Sequence, residues 1–143
     1  MSSQTVIFSA GAAKSGTSWL WDYLRDHPQA YFPAVKELHY FDVLEKGGRD
    51  WFQKVLAGKV DEAQALVDAG TILPYRRQLL EDGKAWLAAF DGMAADDAAY
   101  LDFIGLGREG ARVIGDFTPS YGTLSRETYA RMGKIAGDVR FVF

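Results

Sequence analysis

The segment TVIFSAGAAKSGTSWLWDYLRDHP, Thr5 to Pro28, constrains the fold of this chain more than any other stretch. Val6-Ile7-Phe8 is an apolar run of β type, Gly11 to Ser18 is a loop of mostly small residues, and Leu20, Tyr23 and Leu24 recur at helical spacing. Strand, small-residue loop, helix is the order that wraps a phosphate in backbone N–H groups at a helix N-terminus. The spacing predicts a strand over about 5–10 and a helix over about 17–26, stopped at His27-Pro28.

The loop differs from that of nucleoside triphosphatases in one respect. A Walker loop needs Gly, four residues, then Gly-Lys-Ser/Thr. Counting from Gly11, the second glycine falls correctly at Gly16, but Thr17 follows it and the lysine stands earlier, at Lys14. Two further blocks stand out downstream. They are Lys36-Glu37-Leu38-His39-Tyr40-Phe41-Asp42 and Gly115-Asp116-Phe117-Thr118-Pro119-Ser120-Tyr121.

The run Lys14-Ser15-Gly16-Thr17-Ser18-Trp19 after a strand resembles the 5'-phosphosulfate loop of sulfotransferases that use 3'-phosphoadenosine 5'-phosphosulfate (PAPS). Lys36 to Asp42 resembles the Lys-Glu-x-His-Phe-Phe-Asp segment of the heparan sulfate 3-O-sulfotransferase branch and its bacterial relatives, and Glu45-Lys46-Gly47 and Trp51-Phe52 fit that branch too. Gly115 to Tyr121 resembles the family's Gly-Glu-Lys-Thr/Ser-Pro-x-Tyr segment. Residues 5 to 56 and 112 to 143 carry the likeness, and residues 57 to 111 do not.

The resemblance implies an α/β fold of P-loop-like sulfotransferase type. Its central, mostly parallel sheet would have helices on both sides, with PAPS at the C-terminal end of the first strand. It also implies transfer of a sulfuryl group to an acceptor hydroxyl on a carbohydrate or small metabolite, leaving 3'-phosphoadenosine 5'-phosphate (PAP) as product. Sulfuryl transfer shares the loose, in-line transition state of phosphoryl transfer, so it needs fixed positive charge at the leaving oxygen and a base on the acceptor.

By the likeness, Lys14 supplies that charge, and Ser15, Gly16, Thr17, Ser18 and Trp19 complete the cofactor loop. Glu37 is the general base, and His39, grouped with the catalytic residues, and Asp42 support the acceptor. Lys36 touches cofactor or acceptor, and Thr118 lies at the acceptor. A base in a closed, partly dry site would have a raised pKa. Without the likeness, Lys14 reads equally as a solvated lysine in a glycine turn whose helix is capped by Thr17 or Ser18. His39 as base, as in other sulfotransferase branches, is the alternative to Glu37. Where the family has Glu-Lys, this chain has Asp116-Phe117, which argues against a strongly anionic sugar acceptor.

Composition narrows the classes further. Hydrophobic content of 48% over 143 residues suits a globular domain. A net charge of −3 gives no footprint for nucleic acid. With no cysteine and only His27 and His39, no metal constellation is expected. The N-terminus has no signal-peptide pattern and no run suits a membrane span, so a cytoplasmic protein is expected. The oligomeric state stays open. Two rivals stand beside the sulfotransferase: a P-loop-like nucleotide kinase, and a PAP-binding module without catalysis.

Between the likeness regions, residues 57 to 111 read as a helical insertion in a single domain, with Leu79, Leu80, Gly83, Trp86, Leu87 and Phe90 at helical spacing. Asp50 to Leu56 reads as a short helix with Trp51, Phe52, Val55 and Leu56 on one face. Trp51, Trp86 and Phe90 are expected in the core, and Arg76-Arg77 on a solvated face. Val113-Ile114 reads as a strand, Leu124 to Ile135 as a helix and Val139 to Phe143 as a buried-type strand. In the family, an arginine and a serine that grip the cofactor's 3'-phosphate follow that last strand, so the chain reads as the N-terminal part of a longer domain. The natural reading frame is therefore expected to continue past Phe143 into such a pair, which sequencing of the gene and intact mass of the native protein check directly.

Overall fold

The first strand, β1 (Thr5–Ser9), is hydrogen-bonded on both sides by strands from far along the chain. The computed structural model describes residues 3–11, 16–70, 73–91 and 95–143. After β1 come α1 (Thr17–Arg25), β2 (Ala30–Tyr31), α2 (Tyr40–Lys46), α3 (Arg49–Asp68), α4 (Pro74–Asp91) and α5 (Asp97–Ile104). They are followed by β3 (Val113–Phe117), a 3-10 turn (Pro119–Thr123), α6 (Arg126–Met132) and β4 (Val139–Val142). The four strands form one sheet in the order β2-β3-β1-β4, every pair parallel. Parallel neighbours need crossovers, and helices supply them. The fold is α/β, as expected.

Strand alternation sorts the helices to two faces. Val6, Phe8, Ile114, Val139 and Phe141 point to one face, where Tyr100 and Ile104 of α5 and Met132 of α6 join the main core. Val113 and Phe117 point to the other, where Trp21 of α1 and Phe32 close a smaller core. Among the described residues, no helix is long and apolar enough to cross a membrane.

Several elements differ from the sequence expectations. The short helix expected over 50–56 runs on to Asp68, because Leu56, Val60 and Ala63 continue one buried stripe against α4. That packing uses Gly83: a Cβ there would lie 2.5 Å from Val60 Cγ2, so the two helices approach more closely than alanine permits. Trp86 and Phe90 are core as expected, but Trp51 is 62% exposed. The pattern had placed Trp51 with Phe52 and Leu56, whereas the partner helix selects a stripe that leaves it outside. The helix expected over 124–135 is the shorter α6, which starts after Ser125, whose side chain caps it by accepting a hydrogen bond from the Thr128 N–H, and ends before Gly133. The Arg76 guanidinium lies over the Tyr75 ring, 5.8 Å from its centroid.

β3 carries a carboxylate into the core. Asp116 is 3% exposed and accepts three hydroxyl hydrogen bonds, from Tyr100 (2.8 Å), Tyr121 (2.6 Å) and Thr118 (2.7 Å). Burial pushes its pKa up, and the three donors act against that rise. Tyr121 hydroxyl also accepts from the Tyr40 N–H at 3.1 Å, so one phenol joins β3 to the start of α2. Tyr121→Phe therefore leaves both a buried carboxylate oxygen and a buried N–H short of a partner. It should lower unfolding free energy by about 1–3 kcal/mol in urea titrations, and an unchanged midpoint would show that the network contributes nothing.

Candidate functional site

The loop between β2 and α2 takes a shape that its sequence does not favour. Glu37 and His39 both have left-handed backbone angles, φ 66° and φ 56°. Such angles are uncommon outside glycine, although histidine tolerates them better than most residues. Hydrogen bonds on several sides hold the loop. Ala34 N–H donates to Asp82 Oδ2 (2.7 Å), Glu37 N–H to the Phe117 carbonyl (3.0 Å) and Trp86 Nε1–H to the Leu38 carbonyl (3.1 Å). With the Tyr40–Tyr121 bond, these tie the loop to β3, the 3-10 turn and α4.

The alternating conformation turns three side chains toward one another. His39 Nδ1 lies 2.7 Å from Asp42 Oδ2, and its Nε2 lies 3.6 Å from Glu37 Oε2. Ser120 Oγ donates to Asp42 Oδ2 at 2.6 Å and sits 3.3 Å from His39 Nδ1. The imidazole stacks on Phe52 of α3, ring centroids 3.7 Å apart. Burial works against a charge on His39, but the bonds to Asp42 and Glu37 outweigh it and raise its pKa to about 9. At neutral pH the ring is therefore an imidazolium between two carboxylates, with no lone pair to accept a proton.

Glu37 departs from expectation. Its pKa is lowered, not raised, chiefly by the neighbouring His39, with burial opposing and Lys59 and Lys36 adding to the effect. The assumption of a dry carboxylate omitted the cation beside it. Burial opposes the charge on Asp42 as well, yet His39 and Ser120 hold its pKa below the ordinary value.

The phosphate-loop residues fall in two groups. Lys14 and Ser15 lie outside the described residues. Gly16, φ 86°, opens α1 in the left-handed conformation, so the expected cap at Thr17 or Ser18 is replaced by a glycine with no side chain to offer. The first N–H groups of α1 thus have no side-chain cap from Gly16. Lys36 Nζ donates to Ser18 Oγ at 2.6 Å, which joins the start of α1 to the Glu37 loop. Trp19 is exposed and stacks on Tyr23, 5.6 Å between centroids.

Thr118, expected at the acceptor, requires correction. It is fully buried and its hydroxyl donates to Asp116, so it serves the core. Tyr121 is likewise a core residue. Glu37 and His39 instead face a cavity of about 90 Å³ against α3 and α4. Ser120 and Phe52 are the residues that sequence reasoning did not single out. Both lay within quoted blocks, but nothing in the pattern says that they meet at His39. Among the described residues, no group of three or more His, Cys, Asp or Glu is placed to hold a metal ion. No protein-family model, curated protein or solved structure matches the chain.

The charge cluster sets a pH dependence of stability. Because the folded pKa of His39 lies above its ordinary 6.5, its contribution is complete below pH 6.5 and is lost as pH rises through about 9. Those of Glu37 and Asp42, ordinary values 4.5 and 3.8, are present above these values and lost as pH falls through the lowered ones. The urea midpoint should fall between pH 6.5 and about 9 in the native chain, and His39→Asn should flatten that fall. A native midpoint level across the interval would mean that folding does not raise the His39 pKa.

Proposed function

We propose that this chain transfers a sulfuryl group from PAPS to an acceptor hydroxyl, with Glu37 as the general base. The observation that carries the reading is the juxtaposition at the Lys36–Ser18 bond. It sets the opening of α1, where the sequence resembles a 5'-phosphosulfate loop, beside the Glu37–His39–Asp42 cluster, where it resembles the acceptor side of the same family. In-line transfer needs those two halves next to each other.

The proton assignments follow from charge. His39, protonated at neutral pH, can donate to Glu37 and Asp42 but cannot serve as base, whereas Glu37 is ionised and its side chain is 41% exposed. In the step proposed, Glu37 takes the acceptor proton while the acceptor oxygen bonds to sulfur. The bond from sulfur to the 5'-phosphate oxygen breaks, and its electron pair leaves on PAP. Lys14 is assigned to that leaving oxygen by the sequence likeness alone.

The reading is tested by PAP binding in calorimetry and by transfer of labelled sulfuryl from PAPS to a panel of alcohols. Glu37→Gln keeps the shape but cannot take a proton, and should slow single-turnover transfer by about 10²–10⁴-fold with PAP affinity unchanged. His39→Asn should slow it less. Tight ATP binding with Mg²⁺-dependent hydrolysis, and no affinity for PAP, would replace the reading with a nucleotide kinase.

A further inference from the structure

We propose that the α3–α4 hairpin selects the acceptor, and that it takes an alcohol with an apolar body, aliphatic or aromatic, of about single-ring size. The inference rests on the sulfuryl-transfer reading above and adds the substrate class. Helix α4 falls within residues 57–111, where the sequence carries no likeness, whereas Trp51 to Leu56 of α3 fall within the stretch that does; how the two helices enclose the site comes from geometry.

The cavity before Glu37 is closed by that hairpin. Trp51, Phe52, Val55 and Leu56 of α3 face Trp86 and Phe90 of α4 across it. Polar groups gather on the loop side, at Glu37, His39 and Lys36, with Gln53 and Lys59 on α3. The result is a hollow of about 90 Å³ with the reactive groups on the loop side and a mainly apolar wall on the hairpin, broken by Gln53 and Lys59.

The exposed Trp51 belongs to this arrangement. Its ring meets Phe52 edge to face at 4.7 Å, and Phe52 stacks on His39, so aromatic surface runs unbroken from solvent to the charged cluster. Val55, 38% exposed, stands on the same stretch of α3. An apolar body entering here would cover both residues. A polyol would have to place most of its hydroxyls against carbon, and groups buried without partners oppose binding. An apolar alcohol has one hydroxyl to satisfy, and Glu37 accepts from it. Apolar cavities of about 150 Å³ hold a benzene ring, so this smaller hollow takes a short chain or part of one ring, with the rest of the ring lying against the exposed Trp51.

Benzyl alcohol and glucose are suitable probes, with saturation-transfer NMR for binding and labelled PAPS for transfer. Benzyl alcohol should bind and be sulfated, and glucose should do neither at equal concentration. Trp51→Ala and Val55→Lys change exposed positions, so the fold is retained, and each should weaken benzyl alcohol binding by about tenfold. Binding of benzyl alcohol that both variants weaken, without transfer to any alcohol, would keep the apolar pocket and overturn the sulfotransferase reading. Sulfation of glucose in preference to benzyl alcohol would overturn the inference and leave that reading standing. Native-like benzyl alcohol affinity in both variants would also overturn it.

Discussion

A carboxylate inside an apolar core is tolerable only when its oxygens are fully engaged, and Asp116 organises this fold through that requirement. Its three hydroxyl donors come from α5, from the residue after β3 and from the 3-10 turn. None can shift far without leaving the charge short of a partner. Tyr121 passes the constraint on by accepting from the Tyr40 N–H, immediately after His39. The geometry of the charged cluster at the surface thus depends on a buried network beneath it. A purely apolar core would pack those elements but would tolerate sliding; the directional bonds do not.

The loop that bears Glu37 and His39 is held rather than relaxed. Two left-handed residues cost on the order of 1–3 kcal/mol each, and hydrogen bonds to three surrounding elements offset that strain. The gain is orientation: a carboxylate, an imidazolium and a second carboxylate meet within six positions of chain, which an extended segment cannot arrange. Fixing the charges before any ligand arrives removes the reorganisation that water would otherwise require.

Much of this was legible in the sequence, and what was not has physical causes. The first strand and the helix after it follow from local pattern, because alternation, periodicity and glycine placement are local properties, whereas the weight placed on residues 36–42 comes from the family likeness. The face that Trp51 presents is not local. It depends on where α4 sits, and Gly83 decides how closely α4 approaches. Ser120 was hidden for a similar reason, since its partner Asp42 lies 78 residues away. The sign of the Glu37 shift depended on a neighbouring charge that burial alone does not reveal. Thr118 shows the reverse error: a family position transferred by sequence, whose hydroxyl this chain uses to satisfy Asp116.

The placement of β1 at the centre of a parallel sheet has a consequence for how the molecule comes into being. Its partners, β3 and β4, begin at Val113 and Val139, so this strand pairs only with segments made much later. Closing so large a loop before any sheet contact is gained gives the sheet a high contact order and slows its assembly. At about 5–20 residues per second, the ribosome needs several seconds or more to deliver β3 after β1. During that interval Val6, Ile7 and Phe8 have no strand beside them. The α3–α4 hairpin, whose contacts are near in sequence, can form while they wait. On a ribosome, the frame that shapes the cavity would thus be in place before the sheet that anchors the charges.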